Sequence, residues 1–290
     1  GGSGPASYTY NGSGRLATKT QDGGTAGLFT THYGYHPSGQ LAGMTYPSGK
    51  VVAYSYNVLG QIDTLTVNGQ PVLQSASYQP FGPVAGWLWG NNTPYLRNYD
   101  SDGRLASFSL GAANTRTLSY DDASRIGAYS DASPAASYAL GYDAADHLID
   151  WTTPTTNQGY AYDANGNRNL LTMGIKDYAN TLGAASNRLL SVAGPSARTY
   201  SYNNAGSMLG DGYRIFSYDG GNRMNGVTYP GGSNAYALNA LGQRTLKSGG
   251  TASTHFVYDE AGKLIGEYDP HGLPIEETVY LGDLPVAVIK

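Results

Sequence analysis

The chain has 290 residues, with 17 Lys and Arg against 21 Asp and Glu (formal net charge -4) and no cysteine. That balance provides no basic field to grip a nucleic-acid backbone, the missing cysteines exclude a disulfide-stapled fold, and no apolar run is long enough to span a membrane as a helix. Hydrophobic residues reach 40% and charged ones only 13%, so the chain has the means to bury a core, and its 41 glycines and 14 prolines read as punctuation rather than disorder.

Residues 1–7 read as a flexible linker or a remnant of expression, and no segment has the charged start, apolar stretch and small-residue cleavage site of a signal peptide. From residue 8 onward a seven-residue phrase led by tyrosine recurs. It opens at positions 10, 35, 56, 78, 99, 120, 142, 162, 183, 202, 218, 238, 258 and 268, mostly 19 to 22 residues apart, which is the signature of a repeat array. The clearest copies are YNGSGRL from Tyr10, YDSDGRL from Tyr99, YDANGNR from Tyr162 and YDEAGKL from Tyr258.

Each place in the phrase suits a tight turn between two strands. The first place is Tyr in twelve of the fourteen copies, the exceptions being Gly183 and Leu238. The second is often Asp or Asn, as in Asn11, Asn57, Asp100, Asp121, Asp143, Asp163, Asn203 and Asp259, whose side chain accepts backbone N–H groups two residues on in an Asx-turn. The fifth is Gly in ten copies, including Gly14, Gly39, Gly60, Gly103, Gly166, Gly206 and Gly262, with Asn187 and Asn222 in two more. Those residue types adopt positive φ at least cost. The seventh is mostly aliphatic (Leu16, Leu41, Ile62, Leu105, Ile126, Leu148, Leu264), so a new strand starts there. The turn-motif residues are therefore Tyr10, Gly14, Tyr35, Gly39, Tyr56, Gly60, Tyr99, Asp100, Gly103, Tyr162, Asp163, Gly166, Tyr202, Gly206, Tyr258, Asp259 and Gly262.

Between phrases the pattern alternates: Tyr8 and Tyr10, Tyr33 and Tyr35, Tyr54 and Tyr56, and Tyr160 and Tyr162 are each two apart, on one side of a strand. Second turns fall at YPSGK (Tyr46 to Lys50) and YPGGS (Tyr229 to Ser233), so one repeat is a two-stranded hairpin. Tyrosine covers a pleated face with its ring while its hydroxyl reaches water or a neighbouring carbonyl. Ordering about 20 residues costs roughly 30 kcal/mol at about 1.5 kcal/mol each, which roughly 1,200 Å² of apolar burial would offset at about 25 cal/mol/Å². A lone hairpin cannot bury that much, so the hairpins must join edge to edge, giving an all-β array of antiparallel hairpins with on the order of 28 strands in a curved, coiling sheet, here a single repeat domain over residues 8–290.

The repeated Y-[DN]-x-x-G-[RNQK]-[LI] phrase, the stretch YQPFGPVAGWLWGN from Tyr78 to Asn91 and the closing YDPHGLPIEETVYLGDLPVAV from Tyr268 to Val288 resemble the YD-repeat or Rhs (rearrangement hotspot) family, which includes the C components of insecticidal toxin complexes and the teneurins. The resemblance implies a spiralling β-sheet closed into a hollow shell around a toxic C-terminal domain. By the same resemblance the chain is a section of that shell, its partners are the remaining shell segments and an encapsulated toxin polypeptide, and it is exported within a larger bacterial polymorphic-toxin effector. Family members continue to a DPxGL segment where an aspartate-dependent self-cleavage releases the toxin. Asp269 to Leu273 spell that motif, but they also fit an ordinary repeat opened by Tyr268, and neither cleavage machinery, cargo nor N-terminal plug is expected in this segment.

Other constellations favour bland readings. DSDG at Asp100 and DANGN at Asp163 superficially resemble calcium loops, but the twelfth loop position is Gly111 or Gly174 where a Glu is needed. Trp87 and Trp89, followed by Asn91 and Asn92, form a candidate glycan platform, although sealing one sheet face explains them as well. The five histidines (His32, His36, His147, His255, His271) lack ligand-like spacing, so no metal and no cofactor are expected. Asp121–Asp122 and Glu276–Glu277 point to opposite sides when extended, and GSG at Gly12 lacks a strand–elbow–helix setting, so no enzyme activity is expected. The leading function is an encapsulating shell segment, the alternatives being a carbohydrate-binding or cell-surface adhesion module and a self-cleaving component. Open terminal strands also predict edge-to-edge self-association.

Overall fold

A computed structural model describes residues 6–109, 111, 113–250 and 252–290. Of the residues read as a linker, 1–7, the first five lie outside them, and Ser7 opens the first strand instead. The described residues hold 29 β-strands, close to the 28 or so expected, and two single-turn 3-10 helices, Gly24–Ala26 and Pro134–Ala136. Among the described residues the strands pair antiparallel with their neighbours in sequence, as hairpins joined by short turns require. The repeat run, read above as one domain, divides into two compact units: Gly1–Ser77 with Trp87–Asn92 and Phe216–Lys290, and Tyr78–Gly86 with Thr93–Ile215.

The first unit contains two seven-strand meanders. One runs from Ser7–Tyr10 to Gln70–Tyr78, the other from Met224–Tyr229 to Leu284–Ile289, and each strand pairs with the next. Burial alternates along them. Phe29, Thr31 and Tyr33 on strand Leu28–Tyr35 and Glu277, Val279 and Leu281 on strand Pro274–Leu281 face inward while their neighbours do not. The two inner faces meet. Phe29 packs on Tyr268 (ring centroids 4.7 Å) and His255 (5.4 Å). Leu65, Leu73, Ile265 and Val279 are sealed from solvent.

Polar ties cross the same interface. Lys19 Nζ donates to the Asp259 carbonyl (2.7 Å), Gln21 Nε2 to the Phe256 carbonyl (2.8 Å) and the Tyr46 hydroxyl to the Thr278 carbonyl (2.9 Å). The buried Glu277 carboxylate accepts from the Ser48 hydroxyl (2.6 Å) and from the Tyr268 hydroxyl, so the YPSGK turn of one meander is clamped to the other. The buried side chains in these ties thereby keep a partner, which matters because an unsatisfied polar group costs about 1–3 kcal/mol.

The second unit is built differently. Its strands from Pro94–Tyr99 to Arg198–Thr199 pair in order, and Ser201–Tyr202 pairs with Met208–Gly210, which pairs with Ile215. Among its described residues only Val84, Gly86, Tyr95 and Asp211 are buried. Half-covered aromatic contacts take the place of a sealed interior, as where Tyr129 stacks on Tyr138 across paired strands (4.9 Å).

Candidate functional site

The repeated phrase is the structural site of the molecule, and Tyr99 to Leu105 shows how it works. Tyr99 ends its strand, and the Asp100 N–H donates to the Arg104 carbonyl (2.9 Å) while the Gly103 N–H donates back to the Asp100 carbonyl (3.0 Å). Asp100 Oδ1 accepts the N–H of Asp102 (3.0 Å) and of Arg104 (2.9 Å), and Oδ2 accepts from Arg104 Nε (2.7 Å). One carboxylate therefore closes the bend with both oxygens. Tyr10, Tyr35, Tyr56, Tyr162, Tyr202 and Tyr258 likewise end their strands, and the ladder register slips by one residue at each of them. Gly14, Gly39, Gly60, Gly103, Gly166, Gly206 and Gly262 all have positive φ, between 75 and 93°.

Many of the phrases are tied to their neighbours. The leading tyrosine donates its hydroxyl to the carbonyl at the seventh place of the phrase before: Tyr56 to Leu41 (2.8 Å), Tyr99 to Val84 (2.9 Å), Tyr120 to Leu105 (2.8 Å), Tyr142 to Ile126 (2.9 Å) and Tyr202 to Leu189 (2.8 Å). The sixth-place side chain reaches forward instead. Arg104 Nη1 donates to Ser124 Oγ (2.8 Å), Arg125 Nη1 to the Asp143 carbonyl (3.1 Å), Gln40 Nε2 to the Gly60 carbonyl (3.1 Å) and Lys263 Nζ to the Gly282 carbonyl (2.7 Å). The Arg104 and Arg125 guanidiniums also lie over the next tyrosine, Tyr120 at 4.5 Å and Tyr142 at 4.7 Å. This forward tie has a signal in the sequence, the run of long donors at place six (Arg15, Gln40, Gln61, Arg104, Arg125), to which the turn reading gave no role.

Electrostatics follow from the turn. The Arg125 N–H holds the Asp121 carboxyl below the usual carboxylate range, and the Asn167 side-chain amide does the same for Asp163. Burial opposes the shift at Asp211, yet N–H groups and the guanidinium of Arg214 prevail and bring it to about 2. Asp259 departs from this pattern, because burial raises its carboxyl.

Three details of the turn differ from expectation. The copy placed at Gly183 opens one residue earlier: Leu182 ends the strand at the register slip, Gly183 takes the second place with its N–H on the Arg188 carbonyl, and the loop is one residue longer. Positive φ is carried by Phe81 rather than Gly82 in the Tyr78 copy, and Asn187 is not among the positive-φ residues, because the longer loop relieves the constraint. Ser124 and Asp146 adopt positive φ despite their side chains, since the hydrogen-bonded frame around them is the same.

Trp87 and Trp89 do come together, edge to face at 5.2 Å on strand Val84–Trp89, but Trp87 is buried, so the pair does not present a flat double platform to a sugar. Asp269 to Leu273 form the ordinary repeat turn, with Asp269 Oδ1 accepting the N–H groups of His271 and Leu273 (both 2.8 Å). No helix among the described residues is long and apolar enough to cross a membrane.

Comparison with known proteins fits this geometry. The family model described as Teneurin YD-shell matches residues 50–206, more than half of the chain. No curated protein matches. Among solved structures, the TcdB2-TccC3 complex is similar at a TM-score of 0.57 and 15% identity, over 94% of this chain and 20% of that one. The Photorhabdus luminescens Tc holotoxin pore is similar at 0.55 and 14%, over 92% of this chain and 19% of that one. The chain thus spans about a fifth of the length of the structures it matches.

Proposed function

The chain belongs to the Teneurin YD-shell family, and on that premise we propose that this structural shell segment helps to enclose and carry a toxin polypeptide, exported within a larger effector. The observation that carries the reading is the two-way tie between phrases. Tyrosine hydroxyls reach back and sixth-place side chains reach forward, so a hairpin such as the one opened at Tyr120 is held by the two beside it, which favours a wall of repeats over separate modules. Such a wall acts sterically, by excluding proteases and water-borne partners from what lies behind it. Its partners on this reading are further shell segments and the enclosed chain, and its free edge strands are open to self-association.

No catalysis is assigned to this segment, since Asp269 is occupied in a turn. Glycan binding has weaker support, because Trp87 is buried. Limited proteolysis of the full-length parent protein tests the enclosure. The toxin portion should resist digestion in the intact shell and become labile when one whole repeat of this segment is deleted. Equal digestion rates in the two proteins would overturn the proposal.

A further inference from the structure

Between the two meanders of the first unit lies a cleft of about 160 Å³, lined chiefly by Tyr46, Tyr54, Tyr56 and Tyr280 with Asp259 and Lys263. A cavity of about 150 Å³ accommodates a ligand of some six heavy atoms. The hydroxyls of Tyr46, Tyr56 and Tyr280 are committed to the carbonyls of Thr278, Leu41 and Leu264, so these walls offer ring surface rather than donors.

Asp259 distinguishes this phrase from the others. In Asp100, Asp121, Asp143, Asp163 and Asp219 the outer oxygen, Oδ2, is met by the side chain at place six. Lys263 at that place instead turns to the Gly282 carbonyl (2.7 Å) and the Asp283 carboxylate (3.0 Å). Asp259 Oδ1 accepts the Lys263 N–H (2.7 Å), and Oδ2 has no protein donor among the described residues although the residue is only 8% exposed. Lys19, the other ammonium nearby, donates to the Asp259 carbonyl, and Glu260 adds a second carboxylate at the exposed rim. An anion would find ring faces and acceptors here. A cation would find both an open oxygen of a largely buried carboxylate and the negative faces of aromatic rings.

We propose that this cleft binds a small alkylammonium group, seated among Tyr46, Tyr54, Tyr56 and Tyr280 with its charge toward Asp259 Oδ2. The source is either a free small amine or a lysine side chain of another polypeptide. Titration of the intact chain with tetramethylammonium and with N-acetyl-lysine methylamide, at fixed ionic strength and followed by tyrosine ring NMR signals, distinguishes these sources by which of the two saturates. Neutral tert-butanol, similar in size, is expected to bind at least about tenfold more weakly, the difference expected of one buried charge contact. Asp259→Asn keeps the turn acceptor and removes the charge, so it should fold, with a Tm at or above that of the parent, and lose binding at least about tenfold. Lys263→Arg should also lose it, since a guanidinium at that place meets Oδ2 as Arg104 and Arg125 do. Failure of both cations to saturate, tert-butanol matching them, or undiminished affinity in a folded Asp259→Asn or Lys263→Arg protein would overturn the site.

Discussion

Leu65 and Leu140 each stand in an antiparallel strand, in different copies of the repeat, opposite an aromatic residue, Tyr54 for one and Trp151 for the other. Leu65 is sealed from solvent between two meanders, whereas Leu140 stays partly open in a unit with almost no interior. The turns in the two units are nevertheless built alike. What differs is the source of stability. The first unit relies on apolar burial, and most of the ion pairs fall in the second, where Arg104, Arg116, Arg125 and Arg214 hold Asp100, Asp131, Asp121 and Asp211. One local motif thus supports either a packed pair of sheets or a wall held along its turns.

The sharpest way to break that contrast is Leu65→Ala against Leu140→Ala. Loss of the sealed side chain should cost about 2–5 kcal/mol, and loss of the open one about 1 kcal/mol, read by chemical denaturation with probes in each unit. Equal costs would mean the second unit has an interior of its own. Next in size is Gly166→Val, at about 2 kcal/mol: φ is +78°, costly for a β-branched residue, and a Cβ there would meet His147 Nε2 at 3.0 Å. Chemical denaturation showing no shift would count against the turn.

Acid separates the units by mechanism. Asp211 has its folded carboxyl near 2, below the ordinary 3.8, so the stability it contributes is present above about pH 4 and lost as pH falls through 2. The expected size is on the order of 1 kcal/mol after solvent screening, and Asp211→Asn should remove that part of the acid response. Asp259 has the opposite sign, since a raised carboxyl favours the fold at low pH and opposes it once ionised. The smallest effect is expected for Arg125→Met, which removes contacts to Asp121, Asp146 and the Tyr142 ring at the surface. Its Tm loss should shrink in high salt, and a salt-independent loss would point to packing of the side-chain stem instead.

The fold class and the bend were legible because both are local. Asp100 needs only its own next four residues to close the turn, and Tyr33 with Tyr35 gives the two-residue period without help from afar. The frame at Leu182 is hard to see in the letters because Gly183 opens a bonded loop with one extra residue, which shifts the motif by one place. Nothing local marks residues 7–78 as the partner of residues 224–289. Gln21 and Phe256, or Ser48 and Glu277, lie more than two hundred residues apart, and the alternation of both meanders resembles that of the uncovered unit. Polar members of the interior, such as Glu277, read as surface residues until their partners are seen. Asp259 heads the same kind of phrase as Asp100, and the path taken by Lys263, which stands where the other phrase has Arg104, sets it apart.

The forward reach of place six has a further consequence for how such proteins change over generations. Because a side chain such as Arg104 or Arg125 grips the turn one period later, a period duplicated or excised whole would meet another turn at its new junction, whereas a partial one would not. Length can then be adjusted by recombination, with chemistry at the seam already in place.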